Sequence, residues 1–322
     1  MYFKPLRLLL QEASKAELEA TNPLDKIYAL LNLATDLDNL GIEVYYTVSA
    51  TRLYAKVART IYNQGDLALL AYCGDIAPGL PSWIPNFSGE RGYIPIREHC
   101  EYAQTGTSAF DASLGKDAIV APEGDNPRVL RLHGVMVDTI TYVDVMRAKV
   151  GRDEVTPNIK KHMIQWLRRA CGTFDSVECE AYPTAEVRKE AAWKTLILDH
   201  FRFGRRPMRA DLEAEKGYNA LLNDQEDISE PEVARLADMY FSQMLDITNG
   251  TKPFRTSKGY FRLGRWNVVE GDDIVVFLGC EVPLVLRKEQ SGYKLIGKAS
   301  VHGIMYGKFF THAQHLTSLD LC

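Results

Sequence analysis

The chain has 322 residues, 46% of them hydrophobic and 25% charged, with a formal net charge of -4 at pH 7. That is the make-up of a soluble globular protein with enough apolar surface for two or three packed subdomains, and it excludes a fold that depends on disulfides for its core. The acidic balance argues against a dedicated nucleic-acid binder, which needs a basic face to neutralise phosphates.

The first elements read as helices. Leu6 to Leu10 is a short apolar run broken by Arg7, far below the ~20 residues that span a bilayer, so it is an amphipathic start rather than an anchor. Asp25 is placed to cap "KIYALLNLA", in which Ile27, Leu30, Leu31 and Ala34 share a face. A further helix runs through "TVSATRLYAKVARTIYNQ", with Ala50, Leu53, Val57 and Ile61 as its stripe, Thr47 as cap and Gly65 just past its end. "APGLPSWIPNFSGERGYIPI" then breaks the pattern, because Pro78, Pro81, Pro85 and Pro95 forbid regular helix and central strand. Trp83 and Phe87 lie in this extended strip, which is expected to pin two layers together.

"RVLRLHGVMVDTITYV" is the first strong strand, and its alternation slips around Gly134, the mark of a bulge or bend. Residues 150 to 250 return to helix. Thr156, Pro157 and Gly172 give cap, first position and stop for one helix, and "TAEVRKEAAWKTLILDH" forms another. Ser229 and Glu232 form a capping box ahead of the stripe Val233, Leu236, Tyr240, Met244 and Ile247, closed by Asn249-Gly250. The last 70 residues are β: "DDIVVFLG", "PLVLRKE" and "YKLIGKAS" are short strands, and "KEQSGYK" is a hairpin.

The expected fold class is therefore α+β, with helical N-terminal and middle regions and a C-terminal antiparallel β-barrel-like or curled sheet. The expected units are a helical region with the Pro/Trp strip (1–127), a strand plus helical region (128–250) and a C-terminal β unit (251–322).

Three blocks in this order, "DKIYALLNLATD" (25–36), "LPSWIPNFS" (80–88) and "GDDIVVFLGCEVPLVLRKEQSGYKLIGKASVHGIMYGK" (271–308), resemble the fungal heterokaryon incompatibility (HET) proteins. "LRLHGVMVDTI" looks like a further piece of that family. Members usually begin with a segment carrying a "WIDALCINQ"-like motif that is similar to TIR-type domains. The resemblance implies that this chain corresponds to the second half of the HET region plus the C-terminal part, without that segment, so the NAD-cleaving activity of TIR domains is not expected. Where the family tends to read W-x-P-D-W, this chain has Asn86-Phe87, and where it tends to end H-G-I-M-x-G-E, this chain has Lys308; both changes remove an acid. The resemblance implies self/non-self recognition and the triggering of cell death in fungi.

The chemistry is sparse. Six cysteines, at 73, 100, 171, 179, 280 and 322, include no C-x-x-C pair, which fits free thiols in a reducing compartment and excludes a zinc ribbon. P-loop, dinucleotide-binding and G-x-S-x-G motifs are absent. His302 is either a general base, since imidazole titrates near neutrality, or a corner residue between Gly297 and Gly303; no triad partner stands near it in sequence, which favours the corner. His312 and His315 give only two metal ligands, too few for a site. Asp272-Asp273 reads as a turn before a strand. Arg202, Arg205, Arg206 and Arg209 offer an anion grip or pair with a nearby acidic run.

Two functional expectations follow. One is a HET-like recognition module without turnover. The other is a cofactor-independent enzyme, of cyclase or isomerase type, acting on a small molecule of fungal secondary metabolism. For the second, His302, Tyr306 and Arg287 are the catalytic candidates, and Trp83, His133, Arg205 and Arg206 the ligand-binding ones. No cofactor or metal is implied. The expected partner is a small molecule or a protein, with no nucleic acid and no membrane, a homo-oligomer is compatible with the sequence, and the expected location is the cytoplasm.

Overall fold

The computed structural model describes residues 4–15, 18–74, 79–87, 110–147, 150–175, 179–203, 207–222, 230–311 and 315–322. Among them are eight α-helices and ten strands, and the fold is α+β. Helices α1 (Leu6–Lys15), α2 (Asp25–Leu31), α3 (Leu37–Leu40) and α4 (Ala50–Asn63) precede the long strand β1 (Leu130–Val143). The middle region holds α5 (Pro157–Asp175), α6 (Ala185–Leu196), the hairpin of β2 (His200–Phe203) and β3 (Pro207–Arg209), α7 (Leu212–Leu222) and α8 (Pro231–Thr248). Strands β4 (Thr251–Thr256), β5 (Phe261–Arg265), β6 (Asp273–Phe277), β7 (Leu284–Glu289), β8 (Gly292–Lys298), β9 (Ser300–Val301) and β10 (Thr317–Leu321) complete the chain.

The eight-stranded sheet runs β10-β8-β7-β6-β1-β4-β5-β9, and β10 also pairs with β1. That second pairing joins β10, β8, β7, β6 and β1 in a ring, with β4, β5 and β9 extending from it, so the curled sheet is not a strict barrel. All pairings are antiparallel except β10 with β8. β1 serves three neighbours along its length: Leu130–Gly134 pairs with β10, Gly134–Thr139 with β6 and Ile140–Val143 with β4. The register shifts lie between Met136 and Asp138 and between Ile140 and Tyr142 rather than at Gly134. Gly134 is glycine for another reason: a Cβ there would lie 2.8 Å from both Phe277 Cδ1 and the Val276 carbonyl oxygen. β4, β5 and β10 lacked a sequence signal. Lys252, Arg255, Arg262 and Arg265 interrupt the apolar alternation of β4 and β5, although most of their residues are buried.

Local capping departs from expectation in several places. Ser49, not Thr47, caps α4, accepting from the Arg52 amide at 3.3 Å. Asp25 is the first residue of α2 rather than its cap and accepts instead from the Tyr46 hydroxyl at 2.7 Å. α5 starts as expected, with Thr156 accepting from the Ile159 amide at 3.3 Å, but it runs through Gly172 to Asp175. Ser229 lies outside the described residues; Glu232 pairs with Arg235. None of the five described cysteines forms a disulfide. No described helix is long and apolar enough to cross a membrane.

One continuous core runs from α1 to β10. The Pro/Trp strip joins its helical and β parts. Trp83 is fully buried; its indole N–H donates to the Arg128 carbonyl at 2.8 Å, and its own carbonyl accepts from the Tyr62 hydroxyl of α4 at 3.0 Å. Next to it the Ser82 amide donates to the Cys322 carbonyl at 2.9 Å, and the Leu295 amide donates to Ser82 Oγ at 2.8 Å. An extended segment whose prolines cannot enter the ladder thus ties α4 to β8 and to the C-terminal residue.

Candidate functional site

The C-terminal motif "VHGIM" turns a corner after β9. Gly303 has φ +87°, and the Ile304 and Met305 amides both donate back to the Val301 carbonyl, at 3.0 and 3.2 Å. The left-handed conformation explains the glycine. His302 is anchored by its backbone: its carbonyl accepts from the Tyr182 hydroxyl at 3.0 Å and from Arg262 Nη1 at 3.2 Å. Its ring lies 6.0 Å from that of Tyr182.

The ring faces a charged cluster supplied by the middle region. α6 ends at Leu196, and Leu198 and Asp199 then adopt φ of 56° and 53°, rare for residues other than glycine. This strained turn lets the Asp199 amide donate to the Lys194 carbonyl at 2.7 Å. The buried Asp199 carboxylate accepts from Arg209 Nε at 2.9 Å and Nη2 at 2.5 Å, and lies 3.7 Å from Lys194 Nζ. Lys194 also pairs with Glu190 at 2.6 Å, one helical turn back. The Arg209 guanidinium lies over the Tyr306 ring at 4.1 Å, and that ring meets Phe110, which meets His200.

Burial is the main reason that the His302 imidazole is pushed down from about 6.5 to about 4; the neighbouring Arg262 and Lys194 cations act in the same direction, while Asp199 and Glu190 oppose them. His302 is therefore neutral at pH 7. The hydrogen bond that Lys194 donates to Glu190 is the first cause holding the Glu190 carboxyl below its ordinary range. Arg262 is fully buried, and its Nε and Nη2 have no hydrogen-bond partner. It is steadied by the Phe261 carbonyl at 2.7 Å and by the Tyr260 ring at 4.6 Å, and burial pushes its pKa down. The cluster thus sets a neutral imidazole within the field of the Asp199 carboxylate and of the Lys194 and Arg262 cations. Among the described residues, no serine, threonine or cysteine makes a hydrogen bond with the His302 ring.

Of the sequence candidates, the structure brings His302 and Tyr306 to this one seam, together with Arg209 of the arginine patch. Arg287 lies elsewhere: its Nε and Nη2 grip the buried Asp272 at 2.7 and 2.9 Å, and Nη2 also donates to the Asn267 carbonyl at 3.0 Å. Asp272 in turn accepts from the Val269 amide at 2.9 Å. Trp83 is in the core. His133 is half-buried on β1 opposite Ser318, with no partner at Nδ1. Arg205, Arg206 and His312 lie outside the described residues, and among those described no metal-binding group of His, Cys, Asp or Glu forms. Sequence reading missed Asp199, Lys194, Tyr182 and Arg262. No pattern marks a non-glycine residue with positive φ, and Arg262 sits in a strand that its charge concealed.

The C-terminal unit, which holds most of the ringed sheet and the "VHGIM" corner, has a counterpart among known families. The family model of the Het-6 β-barrel domain matches residues 230–317, from the start of α8 to the first residue of β10. Over 359 residues the chain is 26% identical to heterokaryon incompatibility protein 6, OR allele, of Neurospora crassa, an alignment covering 91% of this chain and 50% of that protein. The chain is thus similar to a heterokaryon incompatibility (HET) protein over most of its length, and to the Het-6 family model in its C-terminal unit. It spans half the length of that curated relative. No solved structure matches it.

Proposed function

We propose that this protein is a HET-type recognition module that contributes to incompatibility between fungal strains, as the name of its Neurospora crassa relative says of that protein. One observation carries the reading: the reactive side chains of the shared motifs hold the fold together. Arg287 neutralises a buried aspartate, Trp83 fills the core, and the motif histidine is kept neutral while its carbonyl anchors a corner. Side chains spent on packing and pairing leave recognition, not turnover, as the work of the surface. The second reading, a small-molecule enzyme, draws on the meeting of His302, Tyr306, Arg209 and Asp199 at one seam.

The test is expression of the chain in fungal strains that differ at their incompatibility loci, scored by growth and cell death after fusion. Strain-dependent loss of viability is expected. Equal growth in all strains, joined to depletion of a compound when the purified chain is incubated with a metabolite extract, would replace recognition with catalysis.

A further inference from the structure

A second site lies on α4, away from the motif histidine. Arg52, Lys56, Arg59 and Asn63 are spaced four, three and four residues apart, so they share one face of the helix. With Thr60, Ala55, Glu123 and Pro127 they line a cavity of about 580 Å³, a size in the range of small-molecule sites. Three cations and one carboxylate border it, leaving two positive charges in excess.

Arg59 makes this more than a charged surface. It is only 7% exposed. Its Nη2 donates to the Pro127 and Val129 carbonyls at 3.1 and 2.9 Å, and its guanidinium lies 4.9 Å from the Trp83 ring centre, so its plane is fixed by the Pro/Trp strip and the start of β1. Nη1 has no hydrogen-bond partner. The nearest acid is Glu123, half exposed and 3.7 Å from Nε, a loose pairing for a buried cation. A buried guanidinium with an unused donor is costly until an acceptor arrives. Arg52 is exposed and has no ion pair among the described residues, and Lys56 spends one donor on the Gly41 carbonyl at 3.0 Å. Rigid fork, point charge and hydroxyl together suit the several oxygens of a phosphate better than a lone carboxylate.

We propose that the α4 cavity binds the phosphate group of a soluble small molecule, with Arg59 as the buried anchor, Arg52 and Lys56 at the rim, and Trp83 as the positioning residue for Arg59. Glu123 competes with the ligand for Arg59. Calorimetric titration of the full chain with pyrophosphate tests this, beside a sedimentation arm with phosphatidylcholine vesicles carrying a phosphatidylinositol phosphate. Saturable pyrophosphate binding is expected, weakened about tenfold or more in the double variant Arg52→Gln/Lys56→Gln, whose sites are exposed and leave folding intact. Glu123→Gln is expected to tighten binding several-fold, a gain that a merely structural cluster would not give. Added salt should weaken binding. Absence of saturable binding, binding indifferent to these substitutions, or capture by vesicles without binding of pyrophosphate would each overturn the proposal.

Discussion

Replacing His302 with glutamine tests how deeply the motif imidazole is withdrawn from water. Glutamine has no titrating group and keeps the backbone carbonyl that Tyr182 and Arg262 hold. In the folded chain the imidazole is pushed down to about 4, against about 6.5 when unfolded. A depressed histidine favours the folded state least in acid: between those two values the unfolded chain binds the extra proton, so stability is lost as the pH falls through that window. From the two values, the loss attributable to His302 is about 0.2 kcal/mol at pH 7 and roughly 2.5 kcal/mol at pH 4.5, and it levels off below pH 4. Carboxylates held below their ordinary range, such as Asp138 and Asp320, add their own acid sensitivity, but both proteins share it and it cancels in the difference. Urea denaturation of wild type and His302→Gln at pH 7.0 and 4.5 reads this directly from the midpoints at constant slope. The wild type is expected to lose roughly 2 kcal/mol more than the variant over that interval. Parallel losses in the two proteins would mean that the ring titrates near its ordinary value and is open to water, and the account of a buried, neutral imidazole would fall.

Arg287→Met strands the Asp272 carboxylate, which is 1% exposed, and should destabilise by about 3 kcal/mol, the order found when one partner of a buried pair is removed; a variant as stable as wild type in urea would show that Arg287 is free for another task. Gly134→Ala drives a methyl group into Phe277 and the β6 backbone, and a loss of about 2 kcal/mol, read from the thermal midpoint, is expected because neither neighbour is a flexible side-chain end.

Much of the architecture was legible because apolar periodicity and turn chemistry agree locally. Leu53, Val57 and Ile61 are buried along α4, Leu236, Tyr240, Met244 and Ile247 along α8, and the β7–β8 hairpin turns where "KEQSGYK" says it should, with Glu289 opposite Gly292. What escaped depends on tertiary partners. β10 carries no strand signal of its own, since "TSLDL" is short and half polar; it is a strand because β1 and β8 offer edges on both sides. β4 and β5 carry arginines and lysines that a single-sequence pattern assigns to solvent, yet Arg262 is buried against Tyr182 and Tyr260. The candidate site was half visible. His302 and Tyr306 stood out by residue type, whereas Asp199 and Lys194 reach them only through a strained turn whose residues carry no local mark.

The second and third motif blocks support each other once placed in the fold. The "LPSWIPNFS" block contributes Ser82, which takes the Leu295 amide from the third block, and Trp83, which braces Arg59 on α4. The third block closes on itself through Asp272 and Arg287 and turns away at His302 under the hold of Tyr182 and Arg262. Loss of the Ser82, Arg287, Tyr182 or Arg262 side chain thus removes a partner from a buried group. Arg59 stands apart in this respect: it is braced from behind by the second block, yet one donor remains unspent beside an open cavity. The motifs hold the scaffold, and the unspent donor lies on a helix face outside them. On this argument, specificity among relatives that share the motifs should reside in faces such as that of α4, where residues can vary without unseating the core.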